Sequence, residues 1–196
     1  MTALPRSFFA RDAVVVARAL VGCHLVVGAR VGRIVETEAY RGPRDLACHA
    51  RVGLTTRTRT LFGAPGHAYV FLIYGMHHCM NVVCKAEGSG HAVLLRAVEP
   101  IAGFAQPLRG DGPGRLAKIM QIARNHDGVD CCVGGPLGFL PRDARPTVRV
   151  SARVGVGYAG AWASMPWRFL DAKSAHVSRP AANTVGLGPE VRAKPR

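Results

Sequence analysis

Two glutamates and a tyrosine alternate in the run Ile34-Val35-Glu36-Thr37-Glu38-Ala39-Tyr40, and His49 follows nine residues after Tyr40. A carboxylate beside an aromatic ring and an imidazole can activate a water or move a proton. The stretch alternates apolar and polar residues as a half-buried strand does. Because strand side chains point to opposite faces in turn, Glu36, Glu38 and Tyr40 share one face, while Val35, Thr37 and Ala39 take the other. Gly42-Pro43 ends the strand and Asp45 can cap the segment after it. These groups converge on one pocket, or they form a solvated strand face with an ordinary turn behind it. Spacing alone leaves both open.

The elements around this stretch decide what it can meet. A first helix is predicted over residues 8–20, capped by Ser7 or Asp12, with Phe9, Ala13, Val16, Ala17 and Leu20 as its apolar stripe and Gly22 as its end. Residues 24–27 and 31–38 read as strands joined by a short hairpin. Residues 41–59 read as an Arg-rich polar connection containing Arg51, Arg57 and Arg59, and residues 55–60 as a loop available to phosphates. Residues 66–73 and 79–84 form a hairpin with Tyr74 and Met76 at its tip. Large apolar side chains there either wedge into a base stack or fold back on the core. Residues 92–98 make a buried strand, and the glycines of 110–114 open a helix at Arg115, where free backbone N–H groups suit a phosphate. Short strands are expected at 137–140 and 147–150, and the glycines of 153–157 let backbone approach a neighbour closely. Residues 1–196 read as one domain, with 180–196 a loosely ordered tail.

Composition narrows the partner. Twelve acidic residues face 26 basic ones, a formal charge of +14, and 22 of the basic residues are Arg. Coding bias explains Arg over Lys, but not the shortage of acids. A polyanion, most commonly nucleic acid, fits that balance. The six cysteines include no Cys-x-x-Cys pair and read as reduced core residues. The histidines show no metal-ligand spacing, so no metal and no cofactor are expected. The start lacks the regions of a signal peptide, and the apolar run 13–21 is too short to span a bilayer. A soluble cytoplasmic protein that makes no membrane contact is the expectation.

Five ordered blocks then carry a resemblance: Glu36-Thr37-Glu38-Ala39-Tyr40 with Gly42-Pro43-x-Asp45 and His49; residues 68–76 with Cys79-Met80-Asn81; residues 94–100; Gly112-Pro113-Gly114-Arg115-Leu116; and residues 152–157. Over about residues 8–169 the chain resembles the alkyladenine (3-methyladenine) DNA glycosylase family, in its bacterial form. The resemblance implies an α+β domain with a curved antiparallel sheet, flanking helices and a protruding hairpin that wedges DNA. It implies Glu38 as the general base that activates a water, Arg96 as the residue holding carboxylate and water, and the Val156 carbonyl as the completion of the water site. Tyr40, His49 and Phe71 match the stacking walls of the base pocket, and Asn81 a discriminating residue at its floor. Tyr74 matches the side chain that fills the gap left by an extruded nucleotide, with Met76 beside it. Phe71 stands where several relatives have Tyr, which keeps the stacking face and removes a hydroxyl.

The partner so implied is double-stranded DNA carrying damaged purines, bound by a monomer associated with the nucleoid. A base must leave the stack before an enzyme can act on it. A 3- or 7-methylated purine is cationic, so an aromatic sandwich favours it by roughly 0.5–2 kcal/mol. No lysine occupies the matched catalytic positions, so hydrolysis by water is expected rather than a Schiff base. The alternative kept beside this one is a non-catalytic binder of damaged DNA with the same fold. A buried glutamate facing phosphates costs such a binder affinity.

Overall fold

One strand runs through the middle of the molecule, and its neighbours change along its length. The computed structural model describes residues 3–105 and 108–179. The proposed tail from residue 180 lies outside the described residues. Strand β1 (His24–Val27) turns into β2 (Arg30–Arg41), which pairs along one edge with β5 (His91–Ala102). The other edge of β2 is shared: β1 covers its start, and β9 (Arg168–Asp171) covers Glu36, Thr37 and Glu38. The hairpin of β3 (Ala68–Ile73) and β4 (His77–Cys84) extends the sheet beyond β5, and β7 (Leu137–Leu140) lies beyond β1. Strands β6 (Gly110–Asp111) and β8 (Val148–Ser151) pair with β5 and β9. All pairings between these strands are antiparallel, and the curled nine-stranded sheet with a few helices is the expected α+β class.

The sheet is not regular where it matters most. Val35 is an extra residue on β2 between the pairs Ile34–Val98 and Glu36–Ala97, and Arg96 is an extra residue on β5 before the pair Thr37–Leu95. Bulges bend a strand and re-aim its side chains. The apolar pattern records both. Ile34 and Ala39 pack in the main core at an odd separation, as do Leu95 and Val98, which no unbroken two-residue repeat permits. The simple alternation is therefore corrected: Ile34 rather than Val35 packs in the main core, and Thr37 and Ala39 share its side. Glu36 and Glu38 still share the opposite face.

The main core lies between the sheet and two helices, α2 (Ala13–Leu20) and α3 (Pro113–Met120). The single helix expected over 8–20 is broken: α1 (Arg6–Phe9) ends, and Asp12 restarts the chain by accepting the Val14 N–H at 2.9 Å. A short polar side chain at that point competes with helical hydrogen bonding, so of the two candidate caps it is Asp12, not Ser7, that starts the long helix. Thr37 ties β2 to α2 through its hydroxyl, which donates to the Ala17 carbonyl at 2.8 Å. On the other face sit two small clusters. One gathers Cys48, Ala50, Leu61, Tyr69, Val83 and Ala92, and the other Ala47, Val156 and Ala159. All six cysteines are free thiols and five are buried.

Candidate active site

Both small clusters reach Tyr40, and the space between them is a cavity of about 280 Å³. The strand alternation that exposes Glu36 and Glu38 to this side does not leave them in water: both are 0% exposed. The solvated-face reading is thereby overturned. Glu38 Oε1 accepts the Val154 N–H at 2.8 Å, Glu38 Oε2 accepts the Tyr40 hydroxyl at 2.9 Å, and Arg96 Nη1 lies 3.3 Å from Oε1. Burial raises the Glu38 carboxyl above the usual carboxylate range, and nearby Glu36 adds to this, against the Arg96 charge and the two donors. Burial, then the Glu38 charge, pushes the Tyr40 phenol well above its ordinary value. An ionised carboxylate offers about four acceptor positions. The two hydrogen bonds on Glu38 use two of these.

The other residues named from the sequence divide by position. Tyr40, His49, Phe71, Asn81, Arg96 and Val156 line the cavity, and Glu38 lies behind them. His49 begins a 3-10 turn (His49–Val52), its Nδ1 is 3.1 Å from the Tyr69 hydroxyl, and its ring meets Phe71 edge-on at 4.5 Å. Burial lowers the His49 pKa, and the charges of Arg57 and Arg51 lower it further. Tyr69 is itself pushed up to about 12, chiefly by burial. Asn81 pairs with Tyr69 across β3 and β4 and donates Nδ2–H to the Tyr69 carbonyl at 3.2 Å, so its amide orientation is fixed. The Val156 carbonyl accepts the Ala159 N–H at 2.9 Å. Its second lone pair is not used by that bond.

The hairpin tip does not fold back. Tyr74 is 85% exposed and Met76 68%, and Tyr74 also borders the mouth of the cavity. Tyr74 and Gly75 both have positive φ, 52° and 69°, closed by a Met76 N–H to Ile73 carbonyl bond. Gly75 takes this at no cost, whereas a tyrosine there costs roughly 1–2 kcal/mol. Strain of that kind is retained where the side chain's position matters.

The basic residues separate as well. Arg51 and Arg57 are exposed at the rim, with their guanidinium carbons 5.8 Å from the Tyr158 ring and 5.9 Å from the Phe71 ring. Arg59 is exposed too. Arg115 is paired to Asp111 at 2.9 Å and lines a different cavity, beside Arg30 and Lys118, so it does not belong to this rim. Thr58, read as part of a phosphate loop, is buried. Its hydroxyl donates to the Gly53 carbonyl at 2.8 Å and accepts the Thr55 N–H at 2.8 Å, knitting the loop to itself. Among the described residues no three His, Cys, Asp or Glu side chains gather as metal ligands do, and no helix is long and apolar enough to cross a membrane.

The family model for methylpurine-DNA glycosylases matches residues 7–175 of this chain. The chain belongs to the methylpurine-DNA glycosylase family. It is 54% identical over 185 residues to a protein of Myxococcus xanthus (strain DK1622), an alignment covering 91% of this chain and 95% of the relative. It is 46% identical over 188 residues to one of Legionella pneumophila (strain Lens), covering 91% and 100%. With a protein of Methanocella arvoryzae (strain DSM 22066 / NBRC 105507 / MRE50) it shares 44% over 200 residues, covering 94% and 100%. All three relatives bear the name "Putative 3-methyladenine DNA glycosylase". The enzyme class of this glycosylase family is hydrolysis of N-glycosyl bonds, and its substrate is DNA.

Several residues of this glycosylase shape the site through partners that the sequence does not reveal. Arg153 and Asp45, both with fully buried side chains, form a bidentate pair at 2.6 and 2.9 Å. Arg153 also donates to the carbonyls of Ala39 and Trp162, and its guanidinium lies 4.7 Å from the Tyr40 ring centre. Asp45, expected only as a cap, accepts the N–H groups of Arg41 and Ala47 as well. One ion pair therefore joins the segment carrying His49 to the segment carrying Val154. Glu36, on the strand face beside Glu38, accepts from Arg96 Nε at 2.8 Å, Arg168 Nε at 2.6 Å and Ser178. A buried carboxylate flanked by arginines from distant strands becomes visible only once the strands are paired.

Proposed function

We propose that the chain is a monofunctional DNA glycosylase that flips alkylated purines such as 3-methyladenine and 7-methylguanine out of duplex DNA and hydrolyses the N-glycosidic bond, leaving an abasic site. Hypoxanthine and 1,N6-ethenoadenine are candidate further substrates. The observation that carries this reading is a fully buried glutamate, Glu38, behind an aromatic-lined cavity whose mouth is flanked by an exposed, conformationally strained tyrosine. Glu38 acts as general base on a water at its free acceptor position. The Arg96 guanidinium keeps that carboxylate charged, and the Val156 carbonyl accepts a hydrogen bond from the water's other O–H. Tyr40, His49 and Phe71 form the walls on which a cationic base stacks, and Asn81 reads its edge. Tyr40 has a second task, because its hydroxyl is donated to Glu38. Tyr74 enters the gap left in the duplex with Met76 beside it, while Arg51, Arg57 and Arg59 meet phosphates. The protein works as a monomer on DNA in the cytoplasm, at the nucleoid.

The test is single-turnover excision on duplexes carrying a stable 3-methyladenine analogue, 7-methylguanine, hypoxanthine or 1,N6-ethenoadenine, with Glu38→Gln run beside the wild type. Release by the wild type alone supports a Glu38-dependent glycosylase. Release by both removes Glu38 from the base role. Binding of damaged duplex with no release by either leaves the non-catalytic binder.

A further inference from the structure

The hydrogen bonds beneath the cavity are closed by a residue from the far end of the described chain. Ser178 lies beyond the last residue of the family match and is 2% exposed. Its N–H donates to Glu36 Oε2 at 2.6 Å. Its hydroxyl donates to Glu36 Oε1 at 2.8 Å and accepts from Arg96 Nη2 at 3.1 Å. Its carbonyl accepts from Arg168 Nη2 at 3.2 Å. Every polar atom of this serine is thus turned to the carboxylate–arginine seam under β2.

The geometry of Arg96 gives that arrangement a meaning. A guanidinium is a rigid plane with three nitrogens at fixed angles. Glu36 holds Nε, Ser178 holds Nη2, and Nη1 is the nitrogen that faces Glu38. Two pinned vertices of a rigid triangle determine the third. Glu36 alone would leave the plane free to swing about the Nε contact, with Nη1 moving off Glu38.

We propose that Ser178 is a positioning residue for Arg96, fixing the Nη2 corner so that Nη1 stays against Glu38, and that the segment after β9 is thereby a working part of the site. This rests on Glu38 being the general base. Ser178 touches neither substrate nor water and acts through Arg96.

Ser178→Ala removes one hydroxyl and leaves the backbone bonds. Loss of a hydrogen bond to a charged group corresponds to about a tenfold fall in the single-turnover excision constant. The affinity for duplex containing an abasic-site analogue should be unchanged. The acid limb of the pH–rate profile should move to higher pH, because a loosened Arg96 holds the Glu38 carboxyl down less firmly. Ser151→Ala is the matched control: Ser151 is also buried, and its hydroxyl donates to the Ala152 carbonyl. That variant should keep the wild-type pH profile. Proton exchange at the Arg96 guanidinium, followed by NMR, reads the same contact without turnover and should quicken in Ser178→Ala only. Wild-type rate and profile in Ser178→Ala, or a loss matched by Ser151→Ala with the profile unmoved, would overturn the proposal. A wild type that excises nothing would fail the glycosylase reading instead, and the exchange measurement would still judge Ser178.

Discussion

Glu36 and Glu38 stand two residues apart on one face of one strand, both fully buried, and their surroundings differ. Glu36 receives four hydrogen bonds, from Arg96, Arg168 and twice from Ser178, three of them on Oε1 and one on Oε2. Glu38 receives two, with a guanidinium alongside, and all three of those neighbours, Tyr40, Val154 and Arg96, line the cavity. Neighbouring carboxylates of the same type can thus serve as anchor and as reagent, and the number of donors aimed at each separates the two roles. A carboxylate held by many donors stabilises structure. One held by fewer retains the capacity to bind and polarise something new.

The comparison can be broken most directly at Glu38. Glu38→Gln should lower single-turnover excision by about 10²- to 10⁴-fold. Its melting temperature at neutral pH should be no lower than that of the wild type. The sign follows from the raised carboxyl: the folded state is penalised above that pKa, where the buried group must be charged, and is free of the penalty below the unfolded value. Glu36→Ala should do the reverse, costing about 3–5 kcal/mol in urea unfolding because it strips a buried partner from two arginines. Equal stability of these two variants would mean that donor number does not separate the roles. Next in size is the wild-type pH–rate profile. Excision should fall about tenfold per pH unit below an apparent pKa that lies above the usual carboxylate range. The smallest effect is expected for Tyr40→Phe, which removes one donor from Glu38 while keeping the ring. The acid limb should move to higher pH, with less than a tenfold loss at neutral pH, and an unmoved limb would detach Tyr40 from the titration of Glu38.

The residues that local pattern can reveal were legible in the sequence. Alternation gave Glu36, Glu38 and Tyr40 one face, the glycine at the hairpin turn set Tyr74 and Met76 at a tip, and the family resemblance, rather than local pattern, implied Phe71 and Asn81 in one pocket with His49. What escaped depends on pairing between distant segments. Arg168 and Ser178 reach Glu36 from more than a hundred residues away, and Arg153 reaches Asp45 across a similar span. Nothing in the neighbourhood of those residues marks them as partners. Strand β9 was missed because four residues rich in buried contacts carry too short a pattern to read. Asp12 was legible as one of two candidate caps, and the structure takes it rather than Ser7, so the helix begins at Ala13.

The paired bulges at Val35 and Arg96 act as compensating frameshifts. The pairing offset that holds for residues 32–34 is lost at Glu36 and recovered at Thr37, so the pairs after the defect keep the offset of those before it. Inserting or deleting one residue between this kink and Glu38 would invert the strand beyond it, turning Glu38 towards the core. A length change of one residue is then a graver lesion here than most substitutions. Across relatives, the distance from this kink to Glu38 should resist insertion and deletion even where side chains are free to vary.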